Sequence, residues 1–195
     1  MLSAAGLLFD CDGVLVDSDE AVAQAWDSWA AEYAPGFDFA RDINQGRPAA
    51  ETVAELVPSR DCARATRALK QLEIDSALMV RALPGAAELL PLLPDGTWTV
   101  VTSGVLAVAR ARLSAAGLPC PKDLVTADDV RQGKPAPDPY LIGAQRLGIA
   151  PVRGGGLRGC GSGGELGPRR RHRVDHRRRR TRAPHASAPG SSRPA

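Results

Sequence analysis

The sequence predicts an α/β chain: a doubly wound parallel sheet with an all-helical block inserted after its first strand. Three observations predict it. A short apolar run, Leu7, Leu8 and Phe9, stops at two carboxylates, Asp10 and Asp12, followed by Gly13. Strand-like and helix-like segments alternate from residue 84 to about residue 150, the pattern of a sheet wound with helices. Between these regions, residues 19–83 carry helical periodicity only.

Residues 7–9 suit a buried strand, being short, apolar and bounded by a glycine. Residues 19–33 place Ala21, Val22, Ala25, Trp26, Trp29 and Ala30 at helical spacing, and Pro35 and Gly36 end that helix. A polar loop over 42–48 contains Gly46 and Arg47, and helical patterns resume over 49–56 and 61–83. After Pro84 and Gly85 a short helix is expected over 86–93, then a second buried strand over 98–102. A helix over 106–116, a third short strand over 124–126 and a helix over 137–147 complete the alternation.

Strand ends carry the candidate chemistry. In open parallel sheets, ligands bind at the carboxyl ends of strands. Asp10 and Asp12 at such an end can hold a metal and divide covalent and acid–base work between them. Gly13 allows a sharp turn and close approach of a ligand to the backbone. Thr102, Ser103 and Gly104 follow the second strand and offer a hydroxyl and backbone amides suited to phosphate. The same three residues also suit an ordinary strand-to-helix turn with a cap. Lys134, fixed by Pro135 just before a helix, can set an ammonium on a crowded anionic site; the alternative is a solvated lysine beside a helix start. Arg47 in Gln45-Gly46-Arg47-Pro48 can grip phosphate or sugar hydroxyls, or simply face solvent. Arg110 and Arg112 read as surface residues, and Cys11 as a small apolar filler facing away from the site.

Leu7–Ser18, Val-Thr-Ser-Gly at 101–104 and Gly-Lys-Pro-Ala-Pro-Asp at 133–138 resemble, in order, the first three motifs of the haloacid dehalogenase-like hydrolases. Within that family the match is to small bacterial phosphatases acting on hexose, deoxyhexose or hexitol phosphates, and it covers about residues 5–150. Val14 stands where a threonine is common, as it does in some relatives, including β-phosphoglucomutases. The resemblance implies Asp10 as the nucleophile that forms an aspartyl-phosphate and Asp12 as the general acid/base. Lys134 offsets charge, while Gly13, Thr102, Ser103, Gly104 and Arg47 bind substrate. It implies Mg²⁺ held by Asp10 and Asp12, through a backbone carbonyl near the latter, and a small phosphorylated sugar as partner. It divides the chain into a core of residues 1–18 and 84–151 and a helical cap of 19–83. A phosphosugar mutase of the β-phosphoglucomutase type is the rival within the same fold, and a non-catalytic remnant with a basic nucleic-acid-binding tail is the alternative from another class.

Composition sets the outer bounds. At 195 residues with 44% apolar content, one domain with a core and a small insertion is expected. The first 150 residues hold 13 Lys+Arg against 20 Asp+Glu, and the last 45 hold 12 Arg against two acids. An acidic globular part therefore precedes a basic Arg/Gly/Pro-rich stretch, 152–195, that reads as disordered. Its arginine runs could touch nucleic-acid phosphates, but no aromatic residue interleaves with them, so nucleic-acid binding is not expected. No secretory leader or membrane-spanning run is visible. Cys11, Cys62, Cys120 and Cys160 lack metal or redox spacing. A cytoplasmic monomer with reduced thiols is the expectation.

The resemblance requires a fourth motif after residue 151, an apolar strand ending in acids that completes the Mg²⁺ site. The written chain turns to Val152-Arg153-Gly154-Gly155-Gly156 instead. Removing the first base of the Arg153 codon permits Val-Val-Val-Phe-Glu-Asp-Ala within the degeneracy of the residues that follow. The reading is a frameshift that removes the carboxyl-terminal part of the core and impairs activity, testable by sequencing the gene across codons 150–175.

Overall fold

The computed structural model describes residues 5–43 and 46–149. β1 (Leu7–Phe9) leads through a tight loop to β2 (Val16–Asp17). Four helices follow: α1 (Asp19–Tyr33), α2 (Phe39–Asp42), α3 (Ala49–Leu56) and α4 (Ser59–Asp75). The chain returns through a 3₁₀ turn (Ser76–Met79) into β3 (Arg81–Ala82), then α5 (Ala86–Leu89) and a second 3₁₀ turn (Leu90–Leu92). β4 (Trp98–Val100), α6 (Leu106–Ala115), a 3₁₀ turn (Ala127–Asp129) and α7 (Asp138–Arg146) complete the described chain.

β1 and β4 pair in parallel, Leu7 opposite Trp98 and Phe9 opposite Val100. Alternation along a strand sends successive side chains to opposite faces. Phe9, Trp98 and Val100 accordingly enter one apolar cluster with Ala109 and Leu113 of α6. Leu8, Val101 and Val125 enter another with Ala144 of α7. Helices thus cover both faces of the parallel pair, as a doubly wound fold requires. Gly143 lets α7 approach closely: a Cβ there would lie 3.0 Å from Val101 Cγ2 and 3.1 Å from Leu8 Cδ2.

β2 and β3 pair antiparallel, Val16 opposite Ala82. The chain therefore leaves for the helical insertion and returns from it along one narrow ribbon. The insertion has its own core, centred on Trp26, Trp29, Val53, Ala65 and Leu69. Ala21, Ala25, Trp26, Trp29 and Ala30 form the buried stripe of α1, and Asp19 and Glu20 in its first turn complement the helix dipole. The Trp29 indole N–H donates to the Ala65 carbonyl at 2.9 Å, locking α1 to α4.

α1 and α3 have the bounds that the periodicity predicts. Elsewhere the structure corrects the reading. The helix expected over 61–83 starts at Ser59, ends at Asp75, and gives way to the turn and strand β3. Apolar Ala77, Leu78, Met79 and Val80 prolong the helical pattern in sequence, but Arg81–Ala82 is claimed by pairing with distant β2. Pro91 breaks the helix expected over 86–93 into a single α turn and a 3₁₀ turn. The strand expected over 124–126 is a single parallel bridge, Val125 to Val101. α2 was not foreseen; the Asp38 side chain caps it by accepting from the Arg41 amide at 3.2 Å. Among the described residues, no helix is long and apolar enough to cross a membrane. The basic stretch 152–195, the frameshift and the missing fourth acidic strand all lie outside the described residues.

Candidate active site

β1 delivers Asp10 to its carboxyl end, and the loop beyond folds back on itself. The Cys11 carbonyl accepts from the amides of Leu15 at 2.9 Å and Val16 at 3.1 Å, and the Gly13 amide donates to the Val16 carbonyl at 2.9 Å. This curl needs a positive φ at residue 13, and Gly13 adopts 72°. It turns the Cys11 side chain into the core, where it is fully buried. Burial pushes the Cys11 thiol far above its usual range, which keeps it in the protonated form.

β4 and its bridge carry the second group of residues. The Thr102 amide donates to the Val125 carbonyl at 2.9 Å, and its buried hydroxyl accepts from the Gly104 amide at 3.1 Å. That hydroxyl keeps its own proton to donate to an anion. Ser103 Oγ donates to the Gly46 carbonyl at 2.5 Å, joining the core to the loop before α3. Lys134 Nζ lies 2.7 Å from Asp10 Oδ1 and donates to the Val101 carbonyl at 2.8 Å. With its side chain 11% exposed, Lys134 is a fixed countercharge and not a solvated lysine. Burial pushes the Asp10 carboxyl up from its ordinary value; Lys134 and the Cys11 amide oppose that, while Asp12 adds to it.

Asp12 faces another way. Its Oδ1 accepts from Ser18 Oγ at 2.6 Å and from Arg112 Nη1 at 3.0 Å. Arg112 corrects the sequence reading of a surface residue: it is 4% exposed, and its other arm reaches Glu73 Oε1 of α4 at 2.9 Å. Both charged residues sit on apolar stripes, Arg112 with Val108, Ala109 and Leu113 on α6, and Glu73 with Ala65 and Leu69 on α4. A lone charge on each of two core-facing stripes, opposite in sign, was the available signal. Burial pushes the Glu73 carboxyl up and outweighs the guanidinium that opposes it. Burial also opposes the charge on Arg112, but Asp12 and Glu73 outweigh it and hold that group above its ordinary value.

All eight residues singled out in the sequence line one cleft between the sheet end and the helical insertion. Its volume is about 290 Å³, at the small end of the range for small-molecule sites. Arg47 reaches it already paired, with Nη2 3.2 Å from Glu51 Oε2 and 2.8 Å from Glu55 Oε1. The far wall includes Trp26, Phe39, Leu69 and Lys70 of the insertion. Sequence reasoning did not single these out: Trp26 and Leu69 sit on apolar helical stripes that read first as core, and nothing in their sequence neighbourhood marks Phe39 or Lys70.

The donor set meets Mg²⁺ only in part. The ion prefers six oxygens in octahedral array. Among the described residues, no group of three His, Cys, Asp or Glu is placed to hold a metal. Lys134 takes one Asp10 oxygen, and Ser18 and Arg112 take Asp12 Oδ1. That leaves the second oxygen of Asp10, the second oxygen of Asp12 and the main-chain carbonyls of the loop.

The family model for haloacid dehalogenase-like hydrolases matches residues 5–153. Hexitol phosphatase A of Escherichia coli is 42% identical over 151 residues, 75% of this chain and 70% of that protein. The Escherichia coli fructose-1-phosphate phosphatase YqaB is 31% identical, across 76% of this chain and 83% of its own. Glycerol-1-phosphate phosphohydrolase 2 of Saccharomyces cerevisiae is 32% identical, and the chain spans only 58% of its length. Among solved structures, a hydrolase from Pseudomonas syringae superposes with a TM-score of 0.60 at 27% identity, over 76% of this chain and 72% of that one.

Proposed function

Because the chain belongs to the haloacid dehalogenase-like hydrolases, we propose that it is a phosphatase of small sugar phosphates, hexitol and hexose phosphates above all. The observation that carries this reading is the Asp10–Lys134 pair at 2.7 Å, lining a small cleft together with Asp12, Thr102 and Ser103. In the proposed reaction, an Asp10 carboxylate oxygen attacks phosphorus and the ester P–O bond breaks, leaving an aspartyl-phosphate. Asp12 gives its proton to the departing sugar alkoxide. Asp12, now a carboxylate, takes a proton from water, whose oxygen attacks phosphorus and releases inorganic phosphate and Asp10. Lys134, held by the Val101 carbonyl, lets two anions meet, and the Thr102 hydroxyl and Ser103 amide face the phosphoryl oxygens.

Mg²⁺ is proposed as the family's usual cofactor. Asp10 and the main chain beside Asp12 would supply part of its shell; the acidic motif that supplies the rest in the family is missing from the sequence as written after residue 151. Hydrolysis is favoured over mutase chemistry because Arg47, the cap-loop cation, is already neutralised by Glu51 and Glu55, which leaves it poorly placed to clamp a second phosphate. Incubating the full chain and Mg²⁺ with hexitol, hexose and glycerol phosphates and with β-glucose 1-phosphate tests both. Stoichiometric inorganic phosphate from the hexitol and hexose esters supports the proposal. Conversion of β-glucose 1-phosphate to the 6-phosphate without phosphate release supports a mutase, and no turnover of any ester overturns the phosphatase reading for this chain.

A further inference from the structure

We propose that Arg112 is a positioning residue for Asp12, tying the orientation of that carboxylate to the helical insertion; the inference rests on the phosphatase reading of the same cleft. The guanidinium joins three parts of the chain. It stands on α6 of the core, its Nη1 meets Asp12 Oδ1 at 3.0 Å, and its Nη2 meets Glu73 Oε1 on α4 at 2.9 Å. Ser18, the residue preceding α1, donates to the same Asp12 oxygen at 2.6 Å. Asp12, Ser18, Glu73 and Arg112 all line the cleft.

Stability alone is a poor reason for this arrangement. A buried ion network is commonly matched or bettered by apolar residues of similar volume, because two charges must be stripped of water. Here the burial is incomplete in its compensation as well, since Arg112 Nε is buried with no partner among the described residues. An arginine is nevertheless suited to the geometry. Its planar fork presents two N–H arms at a fixed angle, so one arm can be set by Glu73 while the other sets Asp12. A lysine ammonium in the same space would serve as a single point of charge. The Asp12 carboxylate is thereby oriented by groups from both walls of the cleft, and displacing α4 from the core would pull on Arg112 and release that orientation.

The test uses the full chain and its variants Arg112→Met, Arg112→Lys and Glu73→Gln. Glucitol 6-phosphate has a leaving alkoxide that needs a proton, whereas 4-nitrophenyl phosphate releases a phenolate that does not. Comparing kcat/KM confines the readout to steps up to departure of the leaving group. The expected result is that Arg112→Met loses at least tenfold more on the alkyl ester than on the aryl ester. Arg112→Lys should recover part of that difference, and Glu73→Gln should show it in smaller degree. Equal losses on both esters, or none, would overturn the proposal. A second measurement needs no turnover: the thermal shifts of Asp12→Asn and Glu73→Gln, singly and together, with Arg112 present and in the Arg112→Met background. Coupling that vanishes without Arg112 supports the proposal, and additivity in both backgrounds overturns it. Should the parent chain hydrolyse neither ester, the phosphatase reading fails and the unfolding cycle alone decides the role of Arg112.

Discussion

Replacing Lys134 with methionine removes the countercharge of Asp10 while keeping much of the side chain's bulk. Two unit charges roughly 3 Å apart attract by about 5–6 kcal/mol at an effective dielectric near 20. The observed pair sits at 2.7 Å with side chains 11% and 24% exposed, so screening is limited, though desolvation offsets part of the attraction. Measured losses on breaking buried pairs are about 3–5 kcal/mol, and loss of one preorganised electrostatic group at a reacting centre lowers kcat by about 10²–10³. A loss of about that size is expected for sugar-phosphate hydrolysis. The pH dependence is more diagnostic. Burial already raises the Asp10 carboxyl, and Lys134 is the main influence lowering it. Without Lys134 the carboxyl must rise further, so a larger fraction is protonated at low pH and unable to attack. The acidic limb of kcat/KM against pH should move to higher pH, with the loss greatest in mildly acidic buffer. A loss below threefold, or one equal across the pH range, would refute the reasoning.

Three further outcomes follow from particular contacts. Glu73 is raised by burial, so its contribution is fully present below its unfolded value and is lost as pH rises through its folded one. Glu73→Gln should therefore gain in Tm relative to the parent on going from pH 4 to pH 7, and a constant difference would contradict that. Trp29→Ala removes a fully buried ring and the 2.9 Å bond to the Ala65 carbonyl; unfolding in denaturant should show a loss of about 3–5 kcal/mol. A Cβ on Gly133 would lie 2.7 Å from Pro48 Cδ, so Gly133→Ala should push the insertion loop off the core and raise KM several-fold, with a smaller change in kcat.

The parts of the fold that were legible in the sequence are those decided locally. α1 and α3 follow from apolar spacing between clear stops, Pro35-Gly36 and Pro58. The strand ends followed from apolar runs that stop at Asp10 and Thr102, and the residues there meet in one cleft because parallel strands present the same end. What was not legible depends on partners far away in sequence. Arg81–Ala82 is a strand only because Val16–Asp17 lies beside it. Arg112 is buried only because Asp12, 100 residues away, and Glu73, 39 away, satisfy it. Arg47 shows the intermediate case. Glu51 and Glu55 stand four and eight positions on, so its neutralisation is readable from their helical spacing.

The central claim is that Asp10 forms a covalent bond to phosphorus. The direct measurement is turnover of glucitol 6-phosphate by the full chain in H₂¹⁸O, with inorganic phosphate and the peptide containing Asp10 analysed by mass. Water attack on phosphorus predicts ¹⁸O in the released phosphate and none in Asp10, together with a phosphorylated Asp10 peptide after rapid acid quench. Phosphate carrying ¹⁸O with no phosphorylated Asp10 at any quench time, and unchanged turnover in Asp10→Asn, would contradict the account.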